Sequence, residues 1–318
     1  MTRITTPFTA GTTAREVVEG LDLTGTRVVV TGGSSGIGVE TVRALVSAGA
    51  DVTIAARNLE QAEEVRAGIA GSTDSGEVRV AYLDLQKRDT LRAFADDWQG
   101  PLDVLIDNAG VMATPETRTS EGWELQFSNN HLGHFALATA LRGALVAGAE
   151  ASGSPSRLVS LSSTGHHMSP VVFDDVMFER RAYDPWAAYG QSKTANSLFA
   201  VGVTARWADD GVLANAVHPG GIITPLQRHL PKQEMIDRGW IDADGTPNPA
   251  FKTTEQGAAT SVLAAVHPLV EGVGARYFED VAEAEPFRDD APGRGVKRYA
   301  LDPEQADRLW DLSEGLLA

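Results

Sequence analysis

From Thr26 onward, short apolar runs rich in β-branched residues alternate with longer segments in which apolar residues recur at helical spacing. Six of the runs have the composition of strands buried on both faces, namely TRVVVT, DVTIAA, EVRVAYLD, LDVLID, SRLVSLSS and VLANAVH. Helical segments separate them, including one over 185–208. The alternation predicts an α/β protein built on a Rossmann-type doubly wound parallel sheet with helices on both faces.

The segments outside this alternation are short, so we predict a single domain over residues 1–318. Its predicted parts are an N-terminal arm (1–24), a core (25–224), a lid (225–252) and a C-terminal extension (279–318). The arm contains a short helix, for which Thr12 or Thr13 is the expected N-cap with Glu16 close behind. The lid joins an amphipathic piece to a Gly/Pro-rich loop, and the acidic extension ends in a helical segment.

The charge balance limits the classes of partner. The chain has 27 Lys and Arg against 43 Asp and Glu, a formal charge of −16 that repels phosphate backbones and anionic membrane surfaces. We therefore expect no nucleic-acid partner. With 0 Cys the chain has no disulfide framework, thiol nucleophile or thiolate metal site, which suits a reducing compartment.

Targeting signals are not evident in the sequence. The first 20 residues lack the basic start and apolar run of a signal peptide. The longest apolar stretch, LGHFALATALRGALVAGA, contains His134 and Arg142, which favours a core helix over a membrane span. We therefore expect a cytoplasmic protein without a membrane anchor.

A glycine-rich turn, TGGSSGIG at 31–38, lies between the first strand and the first helix. In that context Gly32 permits a tight turn, and Gly36 lets a pyrophosphate approach the N–H groups at the positive end of the helix. Gly38 allows the helix and strand to pack closely. The turn predicts a dinucleotide-binding site.

Six motifs, taken in order and spacing, resemble the short-chain dehydrogenase/reductase family over roughly residues 25–280. They are TGGSSGIG (31–38), DNAG (107–110), NNHLGHF (129–135), SLSS (160–163), YGQSK (189–193) and PGGIIT (219–224). Within the family the chain is most similar to the branch of retinol dehydrogenases, WW-domain oxidoreductases and protochlorophyllide reductases. The resemblance implies an oxidoreductase that uses a nicotinamide nucleotide.

The end of the second strand bears on the choice of nucleotide. A Rossmann unit usually has an acid there that binds the adenosine ribose, but this chain has Ala56 followed by Arg57. A guanidinium can bind a 2′-phosphate, so we predict a preference for NADP(H) over NAD(H); the alternative is that Arg57 is only a solvated residue at a helix start.

The resemblance also implies a set of nucleotide-binding residues, in which Asp84 contacts the adenine. The set is Gly32, Ser34, Ser35, Gly36, Ile37, Gly38, Arg57, Asp84, Leu85, Asn108, Ala109, Gly110, Tyr189, Lys193, Pro219, Gly220, Ile222 and Thr224. Asp107 stands where many relatives carry a second Asn.

Tyr189 and Lys193 are four residues apart on a predicted helix, so their side chains share one face. A free tyrosine has a pKa of about 10, too high for efficient proton exchange at neutral pH. A cation about 5 Å away, at an effective dielectric constant of about 20, contributes roughly 3 kcal/mol, or about 2 pKa units. We therefore expect Lys193 to lower the pKa of Tyr189.

The resemblance implies a catalytic tetrad of Asn130, Ser163, Tyr189 and Lys193. In this assignment Tyr189 is the general acid or base, Ser163 orients the carbonyl, and Asn130 holds a water that joins Lys193 to a proton relay. Ser162 is the alternative to Ser163.

Other polar and aromatic residues have weaker assignments. His131 and His134 are three apart, but no nearby acid or Cys completes a metal site, so we expect packing and predict no metal. His166 and His167 are expected to line or rim the pocket. The candidates for an apolar pocket wall, with core packing as the equal alternative, are Met168, Phe173, Trp186 and Trp240.

These patterns favour an NADP(H)-dependent oxidoreductase that interconverts an aldehyde or ketone and an alcohol. One alternative is a nucleotide-binding, redox-sensing interaction protein without turnover. Another is a C=C reductase like protochlorophyllide reductase, whose cysteine this chain lacks. The expected partner is a small carbonyl or alcohol, an apolar one if the aromatic candidates line the pocket; the sequence leaves its identity and the formation of a homo-oligomer open.

Overall fold

The computed structural model describes residues 3–71 and 75–318. The strands in these residues are β1 (Arg27–Thr31), β2 (Asp51–Ala56), β3 (Val78–Tyr82), β4 (Val104–Asp107), β5 (Ser156–Leu161), β6 (Val212–His218), β7 (Tyr277–Glu279) and β8 (Ala282–Glu283). They form one sheet in the order β3-β2-β1-β4-β5-β6-β7-β8, parallel except where β8 pairs antiparallel with β7. This order confirms the predicted doubly wound sheet.

The helices lie on both faces of this sheet. In chain order the described residues form α1 (Ala14–Val17), α2 (Ile37–Ser47), α3 (Leu59–Ala70), α4 (Arg88–Asp97), α5 (Leu125–Phe127), α6 (Gly133–Ser152), α7 (Pro185–Trp207), α8 (Lys232–Asp237), α9 (Thr254–Val266) and α10 (Pro303–Leu317). A π-helical turn, Ser128–Leu132, joins α5 to α6.

Alternate side chains of a strand point to opposite faces, so the sheet carries two cores. On one face, Val28 and Val30 of β1 pack beneath α1, α2 and α9. On the other face, Val29 of β1 and Leu105 of β4 pack beneath α4, α6 and α7. The chain changes face between β1 and β4, which are neighbours in the sheet, and this leaves a crevice at their carboxyl ends.

The long apolar segment Leu125–Ser152 belongs to the second core. By length and composition alone it could cross a membrane, but half of its most apolar window is buried inside the protein. Leu137 and Leu141 of α6 are among the largest fully buried side chains and pack against the sheet. The segment therefore has the packing of a core helix.

The N-terminal arm is part of the first core. Thr13 caps α1 in a capping box, because its hydroxyl accepts from the Glu16 N–H and the Glu16 carboxylate accepts from the Thr13 N–H at 2.7 Å. This selects Thr13 from the two predicted caps. Ala14, Val17 and Val18 are buried, and α1 packs against α2 and α9.

The segment between the lid and the C-terminal extension completes the sheet. Helix α9 packs over β4, β5 and β6, and β7 extends the sheet beyond β6. The sequence did not indicate β7 or β8, because strands of three and two residues are too short to show an alternating pattern. The predicted start of the extension, residue 279, is the last residue of β7.

Helix α10 fastens the extension to the helices beneath it. The Trp310 ring is 4.8 Å from Phe135 on α6 and 5.6 Å from Trp207 on α7, measured between ring centroids. His131 Nε2 lies 2.8 Å from the Ser313 hydroxyl. His131 thus packs among aromatic rings and α10, as the sequence predicted.

Replacement of Trp310 by Ala should lower the free energy of unfolding by about 3–5 kcal/mol, because it removes a buried aromatic side chain from the α6–α7–α10 contact. Urea denaturation followed by circular dichroism measures the change. Leu269→Ala, at a residue 44% exposed, is the control and should stay within about 0.5 kcal/mol of wild type. Equal stabilities of the two variants would contradict this role of α10.

Candidate active site

A cleft of about 780 Å³ opens at the carboxyl ends of the strands. Of the residues predicted for the catalytic tetrad and the nucleotide-binding set, Asn130 and Gly38 do not line it, and all the others do. The same cleft is bordered by the lid and by the turn that follows β5. The fold therefore gathers residues from distant parts of the sequence into one place.

The glycine turn fits a close backbone approach. Gly36 has φ +56°, and a Cβ on it would lie 3.3 Å from Thr224 Cβ, so the turn lies against the last residue before the lid. A Cβ on Gly38 would lie 2.4 Å from the Gly32 carbonyl oxygen. Gly38 thus supports the turn from inside and does not face the cleft.

A chain of hydrogen bonds joins the first strand to the π-helical turn. The Thr31 hydroxyl accepts from the N–H groups of Asn108 and Ala109, at 2.9 and 3.0 Å. It lies 2.9 Å from His134 Nε2, and His134 Nδ1 lies 2.9 Å from the Asn130 carbonyl oxygen. Because that carbonyl can only accept, Nδ1 carries the proton and Nε2 accepts from Thr31.

This assignment requires a neutral His134. Burial, with the charge of Lys193 as a smaller cause, lowers the pKa of His134 to about 4. The sequence predicted only packing for this histidine. Its position one helical turn after Asn130 was the available signal, but the partner Thr31 lies far away in the sequence.

Asn130 is fully buried in the π-helical turn, and its amide connects two elements. Its Nδ2 donates to the Val111 carbonyl and to the Ser192 hydroxyl, and its Oδ1 accepts from the Val111 N–H at 2.8 Å. The Asn130 side chain thus holds the loop after β4 against α7 at Ser192, the residue before Lys193. The water relay implied by the family resemblance stays a prediction.

Tyr189 and Lys193 lie on α7, which Asp184 caps and Pro185 begins. Both side chains are buried, and Lys193 Nζ is 5.7 Å from the centre of the Tyr189 ring. Lys193 Nζ also donates to the Leu161 carbonyl at 2.8 Å, which fixes the ammonium at the end of β5.

The electrostatics of this pair differ from the expectation. Burial raises the pKa of Tyr189 to about 12, although an interaction with Ser163 opposes the rise, and burial lowers the pKa of Lys193 to about 7. The predicted lowering of the Tyr189 pKa by Lys193 is therefore wrong, because burial moves this pKa in the opposite direction. Desolvation of the phenolate dominates, and Lys193 itself is readily neutralised.

The two serines after β5 have different surroundings. The Ser162 hydroxyl is buried, donates to the Lys193 carbonyl at 2.8 Å and lies 2.9 Å from the Ser197 hydroxyl. The Ser163 hydroxyl borders the cleft and accepts from the Gly165 N–H at 3.0 Å. Its own hydrogen can therefore point toward Tyr189 or toward a ligand in the cleft, which favours Ser163 over Ser162.

His166, His167 and Phe173 do not line the cleft, contrary to the expectation for the histidines and the pocket assignment for Phe173. Both imidazoles bond the C-terminal extension, and Phe173 packs under the Arg308 guanidinium of α10. The sequence could not place these contacts, because their partners lie more than 100 residues away. Met168, Trp186 and Trp240 do line the cleft.

Two guanidinium groups border the nucleotide end of the cleft. Arg57 follows β2, and Arg228 comes from the lid, where its Nη1 donates to the Pro225 carbonyl at 3.0 Å. Burial and the nearby charge of Arg57 lower the pKa of Arg228. Arg228 was missed in the sequence because the lid has no readable binding pattern.

Asp107, at the end of β4, is fully buried. Neither carboxylate oxygen has a hydrogen-bond partner among the described residues, and Ser160, its neighbour across β4 and β5, also has an unpartnered hydroxyl. Burial raises the pKa of Asp107 well above its usual range. Burial therefore favours the neutral form of this carboxyl in the folded protein.

Comparison with known proteins identifies the family. A family model described as "short chain dehydrogenase" matches residues 26–235. The chain belongs to the short-chain dehydrogenase/reductase family. This short-chain dehydrogenase is 51% identical over 302 residues to a "Probable oxidoreductase" of Streptomyces lividans, covering 94% of this chain and 99% of the relative. It is 36% identical to human "Retinol dehydrogenase 12", covering 98% of this chain and 91% of the relative.

Solved structures agree with this assignment. An uncharacterized protein from Mycobacterium paratuberculosis matches the short-chain dehydrogenase with a TM-score of 0.70 at 34% identity, covering 96% of this chain and 97% of that one. The Pseudomonas aeruginosa RhlG/NADP active-site complex matches with a TM-score of 0.59 at 25% identity, covering 77% and 91%. The protein is therefore an oxidoreductase of a family that binds NAD(P).

Asp107→Asn should make stability less dependent on pH. The unfolded chain releases the Asp107 proton above about pH 4 while the folded protein keeps it, so the stability of the wild type falls as pH rises, by up to about 1.4 kcal/mol per pH unit. The variant lacks this loss, so its free energy of unfolding relative to wild type should increase from acid to mildly basic pH.

Urea denaturation of both proteins across this pH range tests the change. Replacement of the exposed Asp209 by Asn is the control for removal of one carboxylate. A difference between the Asp107 variant and wild type that does not change with pH would show that the buried carboxyl is ionised in the folded protein.

Proposed function

We propose that the protein is an NADP(H)-dependent oxidoreductase that interconverts an aldehyde or ketone and an alcohol. The observation that supports this most directly is that Tyr189 and Ser163 both line the cleft that the glycine turn also lines, and that the Gly165 N–H, whose backbone packs against the Tyr189 ring, holds the Ser163 hydroxyl. A carbonyl oxygen placed between the Tyr189 and Ser163 hydroxyls would meet a proton donor and a hydrogen-bond donor together.

The residues of the cleft fit a dinucleotide. Gly36 and Gly110 both line the cleft, and Gly110 lies beside the catalytic residues, since a Cβ on it would lie 3.4 Å from Asn130 Oδ1 and 3.8 Å from Lys193 Nζ. The pyrophosphate would bind at the glycine turn, at the N-terminus of α2, and the ribose next to Lys193. When bound, the nucleotide supplies or accepts the hydride.

The proton comes from Tyr189. With a pKa of about 12 its hydroxyl is protonated at neutral pH, so in reduction it donates its proton to the oxygen of the substrate and becomes a phenolate. In oxidation the phenolate form accepts the proton of the alcohol. Ser163 holds the oxygen with its available hydrogen. Lys193, whose pKa is about 7, can return a proton to the phenolate and so restore the hydroxyl of Tyr189.

The preference for NADP(H) rests on Arg57 and Arg228 together. Arg57 and Arg228 come from separate elements, and their positive charges repel each other at one end of the cleft. A phosphate bound between them would attract both guanidinium groups and offset this repulsion. Neither guanidinium forms an ion pair with a carboxylate among the described residues. The 2′-phosphate is the group that distinguishes NADP(H), and planar guanidinium groups bind it well.

The substrate end of the cleft supports an apolar substrate. Trp186 is 6.3 Å from Tyr189 and 5.8 Å from Trp240, and Trp240 is 6.0 Å from Phe251, between ring centroids. The Trp186 N–H donates to Glu234, so its polar edge is already satisfied. An uncharged, apolar aldehyde or ketone is the class that this aromatic wall would bind.

The charge of −16 supports the absence of a nucleic-acid partner, and the absence of Cys supports a cytoplasmic location. The small-molecule substrate described above is the partner that we propose.

Tyr189→Phe should reduce turnover by at least about 100-fold, because the variant keeps the ring and loses the proton donor, while the Kd for NADPH stays unchanged. NADPH oxidation by a panel of apolar aldehydes and ketones, and NADP reduction by the corresponding alcohols, measure this. Tyr82→Phe, at an exposed tyrosine on β3, is the control. Tight NADPH binding by a wild type that turns over none of the panel would contradict the enzyme and favour a redox sensor.

Arg57→Ala and Arg228→Ala should each weaken NADPH binding by about 10- to 100-fold, the value of a charge-assisted hydrogen bond, and leave NADH binding unchanged. Titration of nucleotide fluorescence gives both Kd values. Arg92→Ala, on the exposed side of α4, controls for the loss of one positive charge. An equal loss of affinity for NADH and NADPH would contradict a role in binding the 2′-phosphate.

A further inference from the structure

His166 lies in the 3₁₀ turn Thr164–Met168, which directly follows Ser163, and its side chain is fully buried. Its Nδ1 is 2.6 Å from the Ser163 carbonyl oxygen, and its Nε2 is 3.1 Å from the backbone nitrogen of Lys297 in the C-terminal extension. The imidazole thus bridges the residue that carries the carbonyl-orienting hydroxyl and a segment 131 residues further along the chain.

The partners determine the protonation of the ring. A backbone N–H can only donate, so His166 Nε2 accepts from Lys297 and carries no proton. The remaining ring proton is on Nδ1, which donates to the Ser163 carbonyl. Burial, followed by the neighbouring histidines, lowers the pKa of His166 to about 3, which agrees with a neutral ring.

Further contacts hold the same turn against the extension. The Tyr299 hydroxyl donates to the His166 carbonyl at 2.5 Å, and His167 Nε2 donates to the Gly295 carbonyl at 2.7 Å. The Tyr277 hydroxyl is 3.3 Å from His166 Nδ1. The turn is therefore attached to residues 295–299 through side-chain and backbone groups.

The turn also contacts the general acid. A Cβ on Gly165 would lie 2.7 Å from Tyr189 Cε1, so the backbone of the turn packs against the tyrosine ring. The Gly165 N–H holds the Ser163 hydroxyl at 3.0 Å. A displacement of His166 would therefore change the position of Ser163 relative to Tyr189.

We propose that His166 is a positioning residue for Ser163, and that the Lys297 N–H of the C-terminal extension holds His166 in the tautomer and orientation that this requires. The inference rests on the proposed function and adds a role that the cleft itself does not reveal. The extension then acts in catalysis without touching the substrate.

A proline at residue 297 tests the N–H directly. Lys297 has φ −67°, which proline adopts, so Lys297→Pro removes the donor to His166 with little backbone strain. Lys297→Ala keeps the N–H and removes the side chain beyond Cβ, including the ammonium that lies 3.6 Å from the Phe287 ring centre. Comparison of the two variants therefore isolates the effect of the N–H.

The matched control is Arg298→Pro, one residue further on. Arg298 is the first residue of a short helix, where proline is tolerated, and the extended backbone of Lys297 suits a residue that precedes proline. We expect kcat to fall by about 10- to 100-fold in Lys297→Pro relative to Lys297→Ala, with Kd for NADPH unchanged, because small displacements of a reacting geometry have effects of this size. Arg298→Pro should keep the wild-type kcat.

Two substitutions of the histidine test the same connection if the proline variant does not fold. Asn at 166 can still donate to Ser163 but cannot reach Lys297, whereas Gln can accept from Lys297 but lacks the donor at the Nδ1 position. The proposal requires both His166→Asn and His166→Gln to lose kcat with little change in KM. Full kcat in His166→Asn would show that the extension has no role.

¹⁵N NMR of the imidazole provides a readout that does not depend on turnover. Wild-type His166 should show a protonated Nδ1 and an unprotonated Nε2, and Lys297→Pro should lose this signature. A protonated Nε2 in the wild type would overturn the proposal. Absence of wild-type turnover would instead contradict the proposed function. If the wild type turns over and Lys297→Pro and both His166 variants keep the same kcat, only this inference is contradicted.

Discussion

Burial of helix α7 on nearly all sides is the constraint on which the site depends. Every residue from Ala188 to Val203 is buried, between the sheet on one side and α10 and the turn after β5 on the others. A polar side chain in that position must find a partner inside the protein. The partners here are the Leu161 carbonyl for Lys193 and Asn196, Asn130 for Ser192, the Ser169 carbonyl for Thr194, and Ser162 for Ser197.

These bonds connect the elements that carry the site. The end of β5, the turn after it and the π-helical turn are all attached to α7, so the positions of Ser163 and Asn130 follow from those of Tyr189 and Lys193. The same burial governs the charges. It raises the pKa of Tyr189, so that the hydroxyl stays protonated, and it lowers the pKa of Lys193. It also lowers the pKa values of His134 and His166, so that each neutral imidazole can donate from one nitrogen and accept at the other.

The parts of the structure that were predictable from sequence are those encoded locally. The strands β1 to β6 are apolar runs, and the glycine turn is a contiguous motif, so both were visible. The hydrogen bonds of His134 and His166 depend on partners 103 and 131 residues away, and a single sequence has no signal for such pairs. The π-helical turn around Asn130 has no periodicity of its own, and the rise in the Tyr189 pKa comes from burial by the whole fold.

The segment 224–228, where the core passes into the lid, borders two halves of the cleft. Thr224 touches the glycine turn and Arg228 faces Arg57, while Leu226 packs in the cluster around Tyr189 and Trp240. A nucleotide and a substrate that bind these halves therefore share one short segment of backbone. Such sharing creates thermodynamic linkage, which is reciprocal: the factor by which the nucleotide improves the affinity for substrate is the factor by which the substrate improves the retention of the nucleotide.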